Sequence, residues 1–179
     1  MTGRRGVLIG AAALAGLAWL AGAGLARRNR QSPTIQADAG SGDFWERSFP
    51  TLEGGSLSMA SLRGMPLLVN FWATWCSPCV QELPLLNGFY AQNKANGWQL
   101  VGLALDDPDA VGRFLARSPV SFPVGVLGVT GGGIDLMRSL GNSSRGVPFT
   151  VVFGADGRSV GDKLGQLDAD DLADWRKAV

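Results

Sequence analysis

The chain reads as an α/β protein: a mixed sheet covered by helices on both faces. Three observations lead to that class. Short apolar runs bounded by Gly or Pro alternate with longer stretches of helical period, and such alternation builds strands with crossover helices. Near the end the pattern changes. A Pro-led, β-branched run, the turn Ala155-Asp156-Gly157-Arg158 and a returning run form an antiparallel hairpin before a last helix. Finally, 179 residues give one domain with a real core.

In chain order, Arg4-Arg5 precede an uncharged run from Gly6 to Ala26. As a helix that run reaches about 31 Å, the thickness of a bilayer's hydrocarbon core. Residues 1–26 are therefore expected to be a signal or membrane anchor. Cleavage after the small-residue site Ala21-Gly22-Ala23 is one reading; an uncleaved anchor fits the full length of the run better. Arginines flank both ends (Arg4 and Arg5, then Arg27, Arg28 and Arg30), so positive charge does not set the orientation. Residues 27–42 are polar, carry Pro33 and Gly40-Ser41-Gly42, and read as a linker spanning ~20–24 Å if flexible. The folded domain is expected over 43–179.

Within it, Phe44 to Leu62 suggests a small β-hairpin around the Glu53-Gly54-Gly55 turn, with Leu57 and Met59 alternating with serines. Pro66 to Phe71 is a buried strand. Val80, Leu83, Leu86 and Phe89-Tyr90 then recur at helical spacing, with Pro84 expected to kink that helix near Leu83. Trp98 to Ala104 reads as a second core strand. Asp107-Pro108 starts a helix, with Asp as N-cap and Pro in the first turn, and Val111, Phe114 and Leu115 facing inward. Phe122 to Leu127 is a short strand, and Ile134 to Leu140 a short helix after a Gly131-Gly132-Gly133 turn. Gly146 to Phe153 gives a proline-led strand and Ser159 to Leu164 an edge strand. Asp168 caps a final helix through Leu172, Trp175 and Ala178.

Composition removes several function classes. A net charge of +1 offers nothing to nucleic acid. The absence of histidine removes Ser–His–Asp and Cys–His catalysis, and with no third cysteine the usual zinc ligands are missing. No metal and no bound cofactor are expected. The chemistry is left to sulfur, carboxylates and backbone.

The two cysteines, Cys76 and Cys79, stand C-x-x-C where the first core strand hands over to its helix. Only the thiolate attacks a disulfide, and a free thiol has a pKa of about 8.5. Unpaired N–H groups and the dipole at a helix start favour an anion by roughly 0.3–1 kcal/mol. That is under one pKa unit, at ~1.36 kcal/mol per unit. Lowering the thiol pKa improves the leaving group and tunes the potential more than it speeds attack, because nucleophilicity falls with basicity. A structural crosslink between positions three apart would close too short a loop to stabilise much. The haem-attachment pattern fails at Val80, and Thr74, two residues before Cys76, does not make the peroxidatic Thr-x-x-Cys. A cycling redox couple is the reading that remains.

Trp72-Ala73-Thr74-Trp75-Cys76-Ser77-Pro78-Cys79, followed by Glu82-Leu83-Pro84, resembles the membrane-anchored thioredoxin-like proteins of the TlpA/ResA kind over roughly Phe44 to Val179. The resemblance implies a thioredoxin-like fold with added N-terminal strands, and a thiol–disulfide reductase on the periplasmic side of the cytoplasmic membrane. It implies Cys76 as nucleophile, Cys79 as resolving thiol, and Glu82 as a buried acid that tunes them and moves the resolving thiol's proton. It makes Pro148 a cis proline lying against the cysteines. Trp75, Ser77, Pro78 and Val147 fall on the substrate-facing rim. Asn70 departs from thioredoxin proper, which has a buried aspartate there, and leaves Glu82 as the only nearby acid. The partners implied are protein disulfides, a membrane thiol electron donor and the membrane itself through the N-terminal segment. Candidate substrates are the haem-site cysteines of apocytochrome c or copper-site thiols of oxidase-assembly proteins. An oxidase or isomerase of the same fold, and a non-enzymatic copper-binding dithiol protein, are the alternatives.

Overall fold

A strand whose six residues are all buried needs cover on both faces, and Leu67–Trp72 is such a strand. In the computed structural model, which describes residues 41–129 and 132–179, it is the middle of a five-stranded sheet. Chain order runs α1 (Ser41–Trp45), β1 (Ser48–Pro50), β2 (Ser56–Ser58), a 3-10 turn (Met59–Leu62), β3 (Leu67–Trp72), α2 (Ser77–Asn93) and β4 (Gln99–Ala104). It continues with α3 (Pro108–Arg117), β5 (Val124–Val126), α4 (Gly132–Ser139), β6 (Phe149–Phe153), β7 (Ser159–Leu164) and α5 (Ala169–Ala178). The sheet order is β5-β4-β3-β6-β7. β3 pairs in parallel with β4 and antiparallel with β6, so the sheet is mixed, as expected. The signal or anchor segment and the linker up to residue 40 lie outside the described residues. Among those described, no helix is long and apolar enough to cross a membrane.

Strand alternation sorts the core into two layers. Leu68 and Trp72 of β3 point to one face, where Leu83 and Leu86 of α2, Val111 of α3 and Trp175 of α5 cover them. Leu67, Val69 and Phe71 point to the other, beneath Phe44, Phe49, Leu136 and Met137. Asn70 has the parity of Leu68 and Trp72, which places it on the α2 side in a mostly apolar layer.

Three expectations need correction. Phe44 and Trp45 are not part of the hairpin: Ser41 to Trp45 is a short helix, so the linker's expected last residues, Ser41 and Gly42, already belong to it. Phe44 stacks on Phe153 at 5.0 Å, and Trp45 Nε1 donates to the Gly157 carbonyl at 2.9 Å, which draws this segment onto the β6–β7 end of the sheet. Met59 leaves the strand for the 3-10 turn, where it is fully buried. Gly132 and Gly133 start α4 rather than ending a turn, since a Cβ on Gly133 would lie 2.4 Å from Leu105 Cδ2 and only glycine lets the helix approach so closely. The final helix runs to Ala178 as expected and buries Leu172 and Trp175. The helix with Pro84 runs without a break from Ser77 to Asn93.

Candidate active site

The site is built at the C-terminal end of β3. After Trp72 the chain turns sharply, with Cys76 N–H donating to the Ala73 carbonyl at 3.2 Å. A carboxylate from the neighbouring strand end braces this turn. Asp106 accepts from Thr74 N–H at 3.0 Å, from the Thr74 hydroxyl at 2.5 Å and from Asp107 N–H at 2.8 Å. Burial pushes the Asp106 carboxyl up, but these three donors together outweigh it and hold it below the ordinary value.

Cys76 is the N-cap of α2, one position before the first turn, and Pro78 follows inside that turn. Its sulfur accepts from Cys79 N–H at 3.3 Å, a helix-start donor that favours negative charge on it. Cys76 and Cys79 form a disulfide. Cys79 is fully buried and Cys76 nearly so, whereas Ser77 and Pro78 are exposed and Trp75 is 68% exposed. The Val147–Pro148 bond is cis, and the Val147 carbonyl oxygen lies 3.6 Å from Cys76 Sγ. Just before it, Arg145 adopts a left-handed backbone with φ of 61°. A pocket of about 180 Å³ opens beside the disulfide, walled by Trp75, Leu105, Val129, Ile134, Met137 and Val147. A larger cleft of about 700 Å³ lies away from the sulfurs, between the β1–β2 turn and the start of α3.

One turn below Cys79 the environment reverses. Glu82 is 1% exposed. Its Oε1 accepts from Asn70 Nδ2 at 2.7 Å, and its Oε2 from Leu167 N–H at 2.8 Å. Asn70 Nδ2 also donates to Thr150 Oγ1 at 2.9 Å. Burial is the largest influence and pushes the Glu82 carboxyl up, against the opposing pull of Leu167 N–H, the Asn70 amide and the Lys163 ammonium. Two donors do not compensate a charge taken this far from water.

The site residues singled out from the sequence thus fall in one place: Cys76, Cys79 and Glu82 along one helix start, the Val147 carbonyl against the outer sulfur with the cis Pro148 next to it in the chain, and Trp75, Ser77 and Pro78 exposed beside them. Glu82 is not the only acid nearby, however. Asp171 of α5 also bears on it, and Asp106 stands behind Thr74. Sequence reasoning missed Asp106, the pairing of Asn70 with Glu82 and with Thr150, and Leu167. A signal existed for two of these, because Asn70 and Thr150 are polar interruptions of apolar strand runs. None existed for Leu167, whose contribution is a backbone N–H from a loop 85 residues away.

The redoxin family profile matches residues 33–178. The thiol–disulfide oxidoreductase ResA of Bacillus thuringiensis is 29% identical over 129 residues, covering 72% of this chain and 71% of its own. ResA of Halalkalibacterium halodurans is 31% identical over 110 residues, 61% of this chain and 59% of its own. Among solved structures, a secreted Mycobacterium tuberculosis disulfide oxidoreductase homologous to E. coli DsbE superposes with a TM-score of 0.62 at 26% identity, covering 76% of this chain and 98% of its own. A thioredoxin-related protein of Neisseria meningitidis serogroup B gives 0.64 at 31% identity, with 73% and 97% covered. With its C-x-x-C disulfide at a helix start and its sheet flanked on both faces, the chain belongs to the redoxin family and is a thioredoxin-like thiol–disulfide oxidoreductase.

Proposed function

We propose that this oxidoreductase works as a reductase of protein disulfides outside the cytoplasm, held at the membrane by residues 1–26 or released from it if they are cleaved. In the reduced protein the Cys76 thiolate attacks one sulfur of a substrate disulfide. The first substrate sulfur leaves as a thiolate, and a mixed disulfide joins Cys76 to the second. Glu82 takes the proton from Cys79, whose thiolate then attacks Cys76 Sγ. The second substrate thiolate leaves, the Cys76–Cys79 disulfide forms, and two electrons have passed to the substrate. A membrane thiol carrier restores the dithiol. The Val147 carbonyl and Pro148 offer the edge on which an extended substrate segment pairs, with Trp75, Ser77 and Pro78 as the surrounding contact surface.

The observation that carries the direction is the buried Glu82 carboxyl, one helical turn from Cys79. Dithiols become strong oxidants when their reduced, thiolate-bearing form is stabilised. A carboxylate one turn along the helix from the inner cysteine opposes charge there and works against the stabilisation that Cys79 N–H gives the outer thiolate. The solved Mycobacterium tuberculosis relative is a secreted protein, which supports an extracytoplasmic role. Haem-site cysteines of apocytochrome c or copper-site thiols are the substrates to try first. A redox titration of the Cys76–Cys79 couple tests the direction. A reductase has a potential below about −200 mV, and a value near the ~−120 mV of a dedicated oxidant would make it an oxidase instead.

A further inference from the structure

The register of the sheet lines up a polar row that the exchange chemistry does not touch. Asn70 of β3 is paired with Thr150 of β6, and Thr150 with Lys163 of β7, so the three share one face at one level of the sheet. The first two are fully buried. Lys163 stands at the sheet edge, about 10 Å from Asn70 at roughly 4.8 Å per strand. It is held there by an ion pair with Asp171, whose other contact is the N-cap backbone of Asp168 in the α5 capping box. Both side chains of that pair remain partly open to water, at 32% and 24%. The row therefore runs from a sealed carboxyl to the solvent. At its inner end the Asn70 amide fixes one Glu82 oxygen, and the Leu167 N–H, from the loop between β7 and α5, fixes the other.

We propose that Asn70 and Lys163 are positioning residues for the exchange reaction, acting through Glu82: Asn70 pins the carboxylate oxygen Oε1, and Lys163 supplies the positive charge that holds the ionised form. The inference rests on the role given to Glu82 above. Its physical basis is the balance at a buried acid. Two N–H donors stabilise the carboxylate but cannot repay its lost hydration, and one cation behind Thr150 shifts the remainder. The groups facing Glu82 are Asn70 and Thr150 from the sheet, Lys163 from its edge, Asp171 from α5, the Leu167 N–H from the loop, and Cys79 on its own helix. Among these Asp171 opposes Lys163, and their ion pair moderates both. Nothing about the row requires the charge at residue 163 for folding, since β7 is an edge strand and the side chain is partly exposed.

The test is the reduction potential of the full-length protein against pH, read from thiol content in glutathione or dithiothreitol buffers. Loss of a proton from Glu82 that is coupled to the dithiol appears as an inflection in that curve. Lys163→Met moves the inflection to higher pH, while Lys163→Arg, which keeps the charge, leaves it in place. Asn70→Asp sets a second carboxylate against Oε1, so that the pair retains a proton to higher pH and titrates as a unit. In a Glu82→Gln background the inflection is gone and Lys163→Met changes nothing further. Thermal unfolding of each variant confirms that it is folded. If Glu82→Gln removes the inflection but Lys163→Met and Asn70→Asp leave it where it stood, the positioning roles are wrong and the role of Glu82 survives. If Glu82→Gln itself leaves the curve unchanged, the role of Glu82 falls, and these roles with it.

Discussion

Two buried carboxylates flank the same active-site helix, and they have opposite characters. Asp106 sits behind the turn that leads into Cys76, and Glu82 sits below Cys79. Asp106 takes three hydrogen bonds, two of them from Thr74, and stays more acidic than usual. Glu82 takes two, is sealed from water, and stays less acidic than usual. Burial penalises both; the count of donors and the depth decide which way the balance falls. An acid that never gives up its charge serves as a brace, while one that can hold a proton near a thiol serves as a proton carrier. In the proposed mechanism Asp106 is the rigid mount for the outer sulfur and Glu82 the proton relay for the inner one.

Variants of the two acids separate those roles. The largest effect on stability is expected from Asp106→Ala, which strands Thr74 N–H and the Thr74 hydroxyl and costs about 2–3 kcal/mol in chemical denaturation. Asp106→Asn keeps one acceptor oxygen but loses the charge and turns its amide N–H toward either Asp107 N–H or Thr74, so roughly half that loss is expected. The pH dependence follows from the depressed folded-state value. The stabilisation is present above the ordinary value of 3.8 and is lost as pH falls through the lower folded one. Melting curves in acid, compared with those of Asp106→Asn, check this.

Glu82→Gln is expected to do the opposite to stability. The folded chain holds this proton to higher pH than the unfolded chain, so stability falls as pH rises from the ordinary value of 4.5 through the raised folded one. Removing the charge should therefore raise the melting temperature at neutral pH, with the gain vanishing below about pH 4.5. The same variant should slow the second, resolving step of exchange and leave the first attack by Cys76 near its original rate. Stopped-flow reduction of a model protein disulfide separates the two phases. The smallest effect on folding belongs to Trp75→Ala, within about 0.5 kcal/mol because the ring is largely exposed. Its signature is kinetic: slower exchange with a protein disulfide and little change with a small one such as oxidised glutathione.

The order of strands and helices was legible because the core strands are largely apolar runs and α3 and α5 carry caps, Asp107 and Asp168, plain in the sequence. Phe44 and Trp45 were misplaced because an apolar pair at a chain entrance looks the same on a strand or on one turn of helix. Only their packing on Phe153 and Gly157 decides. Within the site, Cys76, Cys79 and Glu82 were readable because one helix sets their spacing. Asp106 and Lys163 were not, and Thr150 showed only as a polar break in its strand. Their proximity to that helix comes from strand register, and register is fixed by pairing across tens of residues rather than by local spacing.

The most direct measurement is covalent capture. Full-length protein carrying Cys79→Ala, reduced and then mixed with a disulfide-bearing protein substrate, should accumulate as a mixed disulfide through Cys76, identified by mass spectrometry and released by dithiothreitol. The parallel Cys76→Ala protein should form none. An equal yield from both variants, or no adduct from either, would contradict attack by Cys76 and with it the exchange mechanism.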